Sequence, residues 1–166
     1  LLTGYQTTRP GKQLLFMGSE LAPDTEWDHR ASLPWELAQE PDRVSFGRWL
    51  EALGHFYLAQ PSLWRCDPDP EGFAWIDCSD RANSVVCYRR RDLGAASQGP
   101  AAELVVVLHC GSQRLEPYRI GAPWPGRYRV LLCSDDRDFG GSGALCTRDL
   151  FSSGQPWHGL PQSIEL

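Results

Sequence analysis

The apolar and polar positions divide the chain into two regions of different period. From residue 73 onward, short runs of β-branched and aromatic residues recur at 73–77, 84–89, 103–109, 117–120, 127–133 and 163–166. Turn signals such as Ala82-Asn83, Pro125-Gly126 and Gly140-Gly141 separate them, a pattern that predicts an antiparallel β-sandwich or barrel. Earlier the period changes: Val44, Phe46, Trp49, Leu50, Leu53, Phe56, Tyr57 and Leu58 follow helical spacing. The pattern predicts an amphipathic helix capped by Asp42 and ending near Gln60-Pro61. Trp49 falls on its apolar stripe and is expected in the core. Leu14, Leu15, Phe16 and Met17 form a continuous apolar run between Gly11 and Gly18, as in a strand covered on both faces. Residues 1–9 read as the last turns of a helix broken by Arg9-Pro10-Gly11.

The segment Cys66-Asp67-Pro68-Asp69-Pro70-Glu71-Gly72 is the strongest internal punctuation, and the predicted regions are 1–65 and 66–166. Residues 18–41 form a long loop, and loops of that length in compact domains are as a rule functional or disordered. Residues 92–102 read as a mobile hairpin loop, and Arg89-Arg90-Arg91 as a solvated strand end. Trp64 is expected to anchor the helix to the sandwich, with Trp124 and Trp157 plugging loops.

Composition narrows the function classes. The 166 residues hold one domain, or one domain and part of another; 42% are hydrophobic and 22% charged. Sixteen Lys and Arg against 21 Asp and Glu give a net charge of -5, with no basic stripe to suit nucleic acid. No run approaches the ~20 apolar residues that cross a bilayer, and residues 1–20 lack a signal-peptide pattern. The expectation is a cytoplasmic protein with neither nucleic acid nor membrane as partner. The six cysteines contain no CxxC pair, and Cys87 and Cys133 lie in apolar runs, so reduced, buried thiols are expected. His29 has no second histidine three or four residues away, so no metal site and no cofactor is expected.

Seven tryptophans remain a notable excess; indoles fill cores and also stack on sugar rings. On the 73–77 strand, alternation places Phe73, Trp75 and Asp77 on one face and Ala74 and Ile76 on the other. Either the aromatics face outward with Ile76 in the core, or the reverse. Glu20, Glu26 and Asp28 crowd the 18–41 loop, where acids are commonly solvated or bond nearby backbone amides.

In order along the chain stand Pro10-Gly11-Lys12-Gln13-Leu14-Leu15-Phe16-Met17-Gly18-Ser19-Glu20, Glu26-Trp27-Asp28-His29, Leu63-Trp64, Asp69-Pro70-Glu71-Gly72-Phe73-Ala74-Trp75-Ile76-Asp77, Tyr118-Arg119-Ile120-Gly121, Phe139-Gly140-Gly141-Ser142-Gly143 and Trp157-His158-Gly159. Taken together these resemble the C-terminal part of bacterial 1,4-α-glucan (glycogen) branching enzymes, of the α-amylase superfamily. The resemblance implies a mainly β chain: a C-terminal antiparallel β-sandwich preceded by the last strand, loop and helix of a (β/α)8 barrel. It implies that the sandwich stops short of its last strand, and that the missing barrel, another chain or the 44–58 helix covers Leu14 to Met17. The implied partner is an α-glucan, cut at an α-1,4 bond and transferred to a 6-hydroxyl by a retaining mechanism with two carboxylates. In this family the catalytic acids lie on earlier strands, so no catalytic residue is assigned here and the chain alone is expected to be inactive. By the same resemblance Glu20, Glu26, Trp27, Asp28 and His29 line a sugar cleft, since barrel loops after strands carry function, and Trp75 holds glucan on the surface. The sequence departs from the family at Arg30 and Pro34, where acids are usual, at Ala74 in place of Glu, and at His109-Cys110-Gly111 in place of an Asn-Phe-Thr-like run. Alternative readings are the C-terminal part of a trehalose-forming or debranching hydrolase, and a non-catalytic sandwich that binds glucan or only stabilises its neighbour.

Overall fold

The computed structural model describes residues 1–94, 99, 102–144 and 149–166. A short helix α1 (Leu2–Thr8) and a long one, α2 (Pro41–Ala59), precede seven strands among the described residues. Strands β1 (Phe73–Asp80), β2 (Val85–Arg91) and β3 (Glu103–His109) form an antiparallel sheet in that order. Two antiparallel pairs complete the region: β4 (Arg119–Ala122) with β7 (Gln162–Glu165), and β5 (Arg127–Arg129) with β6 (Asp149–Phe151).

Period-two burial explains how these layers close. Ile76 of β1 and Cys87 of β2 meet Ile120, Ala122 and Ile164 from the β4–β7 pair, with Val105, Val107, Tyr128 and Leu150 packed around them. This is the sandwich core, drawn from facing sheets as aligned packing requires. A cavity of about 940 Å³ continues between β3, Tyr128, Leu150 and Trp49. At Gly121 a side chain is excluded outright, since a Cβ would stand 2.5 Å from the Trp157 carbonyl oxygen.

Several expectations need correction. Residues 12–16 pair with no strand, because no strand edge stands beside them among the described residues, and an unpaired apolar run gains neither ladder bonds nor burial. Nor does α2 cover the run: Leu14, Leu15, Phe16 and Met17 are 63%, 57%, 50% and 38% exposed. Leu14 and Leu15 instead form one wall of a groove of about 480 Å³ whose other wall includes Leu50, Leu53 and Leu58 of α2. Asp42 makes no cap; Pro41 occupies the first helical position, where its fixed φ is preorganised, and Asp42 sits in the first turn. The predicted 127–133 strand is paired only over Arg127–Arg129. The thiols are not all reduced: Cys133 is disulfide-bonded, whereas Cys66, Cys78, Cys87 and Cys110 are free. Cys87 is fully buried, and burial pushes its thiol up to about 12. The expected 92–102 hairpin loop falls largely on 95–98 and 100–101, outside the described residues.

The solvated-strand-end reading of Arg89-Arg90-Arg91 fails at its centre. Alternation along β2 puts Arg90 on the Tyr88 face, opposite the core residue Cys87, and it is fully buried there. Its guanidinium donates to the carbonyl oxygens of Thr8 and Leu63, both at 2.9 Å, and pairs with Asp67. The cation thereby ties Thr8, Leu63 and Asp67 to β2 with the pairing that a buried charge demands, while its buried Nε has no hydrogen-bond partner among the described residues. Leu63, also fully buried, is the apolar anchor there; Trp64 is 39% exposed and carries Arg65 over its ring at 5.6 Å. Trp49 is buried as expected. Its Nε1 donates to Thr3 Oγ1 at 3.0 Å, and its ring meets Phe139 at 5.3 Å. Trp124 and Trp157, expected as plugs, remain 36% and 41% exposed.

Candidate glucan-contact surfaces

The loop after residue 17 is shaped by local bonds. Gly18 adopts φ +83, and a Cβ there would press to 2.8 Å of Leu33 Cδ2, so the turn requires glycine. Ser19 Oγ accepts from the Phe16 N–H at 3.0 Å, opening the one-turn helix Ser19–Leu21 that carries Glu20. Beyond it Trp27, 48% exposed, stands edge to face with Phe16 at 5.2 Å and meets His29 at 6.3 Å. Phe16, Trp27 and His29 thus form an exposed aromatic cluster.

The acids of the loop do not converge with it. Asp28 Oδ1 accepts from the backbone N–H of Arg30 at 2.9 Å and from its Nε at 3.1 Å, with His29 Nδ1 at 3.7 Å. Those bonds hold the Asp28 carboxyl below the usual carboxylate range, the backbone bond contributing most. An acid catalyst of glycoside cleavage needs the opposite shift. Arg30 thus occupies Asp28. Among the described residues neither Glu20 nor Glu26 makes a side-chain hydrogen bond or ion pair. The structure therefore brings Trp27, Asp28 and His29 together and leaves Glu20 and Glu26 outside that set. An exposed apolar platform with polar neighbours can bind a sugar chain.

Trp75 belongs to a second cluster on β1. The outward choice holds: Ile76 enters the core while Trp75 is 42% exposed. A register shift between Trp75 and Asp77 sits just beyond it. Phe73 and Tyr88 meet the Trp75 indole at 5.1 Å and 5.5 Å, both nearly perpendicular, and the guanidinium carbon of Arg9 lies 5.2 Å from its ring centre. The sequence reading missed Arg9; its only local signal is the four-residue spacing from Tyr5, whose hydroxyl accepts from Arg9 Nη1 at 2.8 Å. Further along the sheet, Asp77 pairs with His158 at 3.6 Å, and Asp80 accepts from the Tyr118 hydroxyl at 2.7 Å.

This architecture, two facing antiparallel layers closed around an aliphatic core, defines the class. Residues 75–166 match the family described as "Alpha amylase, C-terminal all-beta domain", and the chain belongs to that family. Its whole length is also similar to proteins named "1,4-alpha-glucan branching enzyme GlgB". The protein from Oceanobacillus iheyensis is 37% identical over 166 residues, 100% of this chain and 25% of that relative. The one from Paramagnetospirillum magneticum is 39% identical over 163 residues, 98% of this chain and 21% of its own length. That of Burkholderia thailandensis is 40% identical over 166 residues, 100% of this chain and 19% of its own. The chain spans about a fifth to a quarter of these relatives.

Proposed function

We propose that this chain is the C-terminal portion of a 1,4-α-glucan branching enzyme, a cytoplasmic glycosyltransferase of glycogen synthesis that cuts α-1,4 bonds and makes α-1,6 branches. Similarity along the whole chain to proteins of that name carries the reading. In this proposal residues 1–65 are the closing unit of a (β/α)8 barrel and residues 66–166 its sandwich. The exposed Leu14, Leu15, Phe16 and Met17 support it, since a barrel would bury these side chains and pair their backbone. The catalytic acids belong to the barrel and are absent from this segment. The loop cluster of Trp27, Asp28 and His29, with Glu20 and Glu26 nearby in sequence, and the surface Trp75 contact α-glucan. Incubating the purified 166-residue chain with amylose and digesting with a debranching enzyme should release no new chain ends; branches formed by the chain alone would overturn the assignment of its chemistry to the barrel.

The second reading is a glucan-binding or purely structural sandwich, which the self-contained core of Ile76, Cys87, Ile120, Ala122 and Ile164 favours. Native electrophoresis in gels cast with amylopectin separates the two. Retardation that Trp75→Ala abolishes and Trp27→Ala weakens supports glucan contact; equal mobility of all three proteins with and without glucan supports the structural role.

A further inference from the structure

The Trp75 platform has a polar partner that comes from the other region of the chain. Arg9 follows α1 directly, its N–H closing the helix on the Tyr5 carbonyl. Its guanidinium carbon lies 5.3 Å from the Tyr5 ring centre, 5.1 Å from Phe73 and 5.2 Å from Trp75. A guanidinium stacks readily on such rings. Among the described residues the bond from Nη1 to Tyr5 Oη is its single side-chain hydrogen bond, so most of its donor fork faces no protein acceptor. The location is anchored as well. Thr8, the preceding residue, is buried; its Oγ1 meets Tyr88 Oη at 2.5 Å and its carbonyl accepts from the buried Arg90 at 2.9 Å. Tyr88 pairs with Trp75 across β1 and β2. The backbone at Arg9 is therefore fastened to the same sheet that carries the indole.

A neutral, hydroxyl-rich chain is recognised by an aromatic face for its C–H groups and a planar polar side chain for its hydroxyls. We infer that Arg9 is a sugar-binding residue, holding the Trp75 indole in place and donating its free N–H groups to hydroxyls of an α-glucan laid beside that ring. The inference rests on the reading of Trp75 as a glucan contact, and makes that contact a joint product of α1 and β1. Titration of maltoheptaose into the full chain tests it, with folding of each variant checked by circular dichroism. Trp75→Ala should abolish binding. Arg9→Ala and Arg9→Lys should each weaken it about tenfold, because an ammonium keeps the charge and the ring contact but loses the fork. Arg9→Lys decides the matter should the alanine variant fail to fold. Unchanged binding in Arg9→Lys, with binding lost in Trp75→Ala, overturns the inference and leaves the Trp75 reading standing. Full binding in Trp75→Ala, or none in the wild type, overturns both.

Discussion

Ile120 and Ala122 of the sandwich are fully buried, while Leu14 and Leu15 of the preceding region are each more than half exposed. The residue types are alike and the outcomes opposite. In the sandwich Ile76 and Cys87 of one layer find Ile120, Ala122 and Ile164 of the other, so their burial is satisfied within the chain. The run from Leu14 to Met17 meets α1 and α2 across an open groove and Trp27 at Phe16 alone, and these neighbours leave much of its apolar area wet. A hydrophobic pattern therefore states a demand for burial, and only topology decides where it is met.

The contrast rests most heavily on Arg90. Arg90→Ala strips a donor from the Thr8 and Leu63 carbonyls and leaves the Asp67 carboxylate unpaired, with an expected loss of about 3–5 kcal/mol in urea unfolding. An unchanged midpoint would break the view that this cation joins the two regions. Next, Ile120→Ala should cost about 2–5 kcal/mol through lost burial and the cavity left behind.

A smaller effect is read in acid. The Asn83 side chain, the Tyr118 hydroxyl and the Asn83 N–H hold the Asp80 carboxyl below its ordinary 3.8. Asp77 is lowered as well: burial raises it, and the Ser79 bonds and His158 outweigh that. A carboxyl lowered in the folded state stabilises above its unfolded value, and this stabilisation disappears as pH falls through the folded one. The wild-type melting temperature should accordingly drop as pH falls below the ordinary carboxylate value of 3.8, and Asp80→Asn should flatten part of that drop. A variant profile parallel to the wild type would remove Asp80 from the account. The smallest effect is Leu14→Ser, within about 0.5 kcal/mol in this chain. A large loss there would show that the run is already packed and would sharpen the comparison in the opposite direction.

The strands with strong β-branched runs and clear turns were readable from sequence, as was helix α2, whereas alternation on β1 left open which way Trp75 faces. What escaped depended on partners distant in sequence. Asp149–Phe151 is three residues long and holds as a strand only through pairing with Arg127–Arg129, a partner that no local pattern names. Arg90 sits in a triplet that reads as solvent-facing, on the strand face opposite the core residue Cys87, and its acceptors lie 23, 27 and 82 residues away. In the loop, the family resemblance named Glu20, Glu26, Trp27, Asp28 and His29, but only geometry reveals that Arg30 occupies Asp28. Arg9 was hidden for the same reason, since two of its three aromatic neighbours come from β1.

Two of the three acceptors on Arg90 are main-chain carbonyls, and every residue type supplies one. Substitutions at position 8 or 63 leave those oxygens in place, so sequences can drift on that side of the junction without cutting the tie. Replacement of Arg90 has no such freedom, because neither a shorter nor a neutral side chain reaches all three acceptors. A graft of this sandwich onto a related barrel should accordingly tolerate foreign exposed residues before position 66, provided that Asp67 and Arg90 travel together and the buried Thr8 and Leu63 are kept.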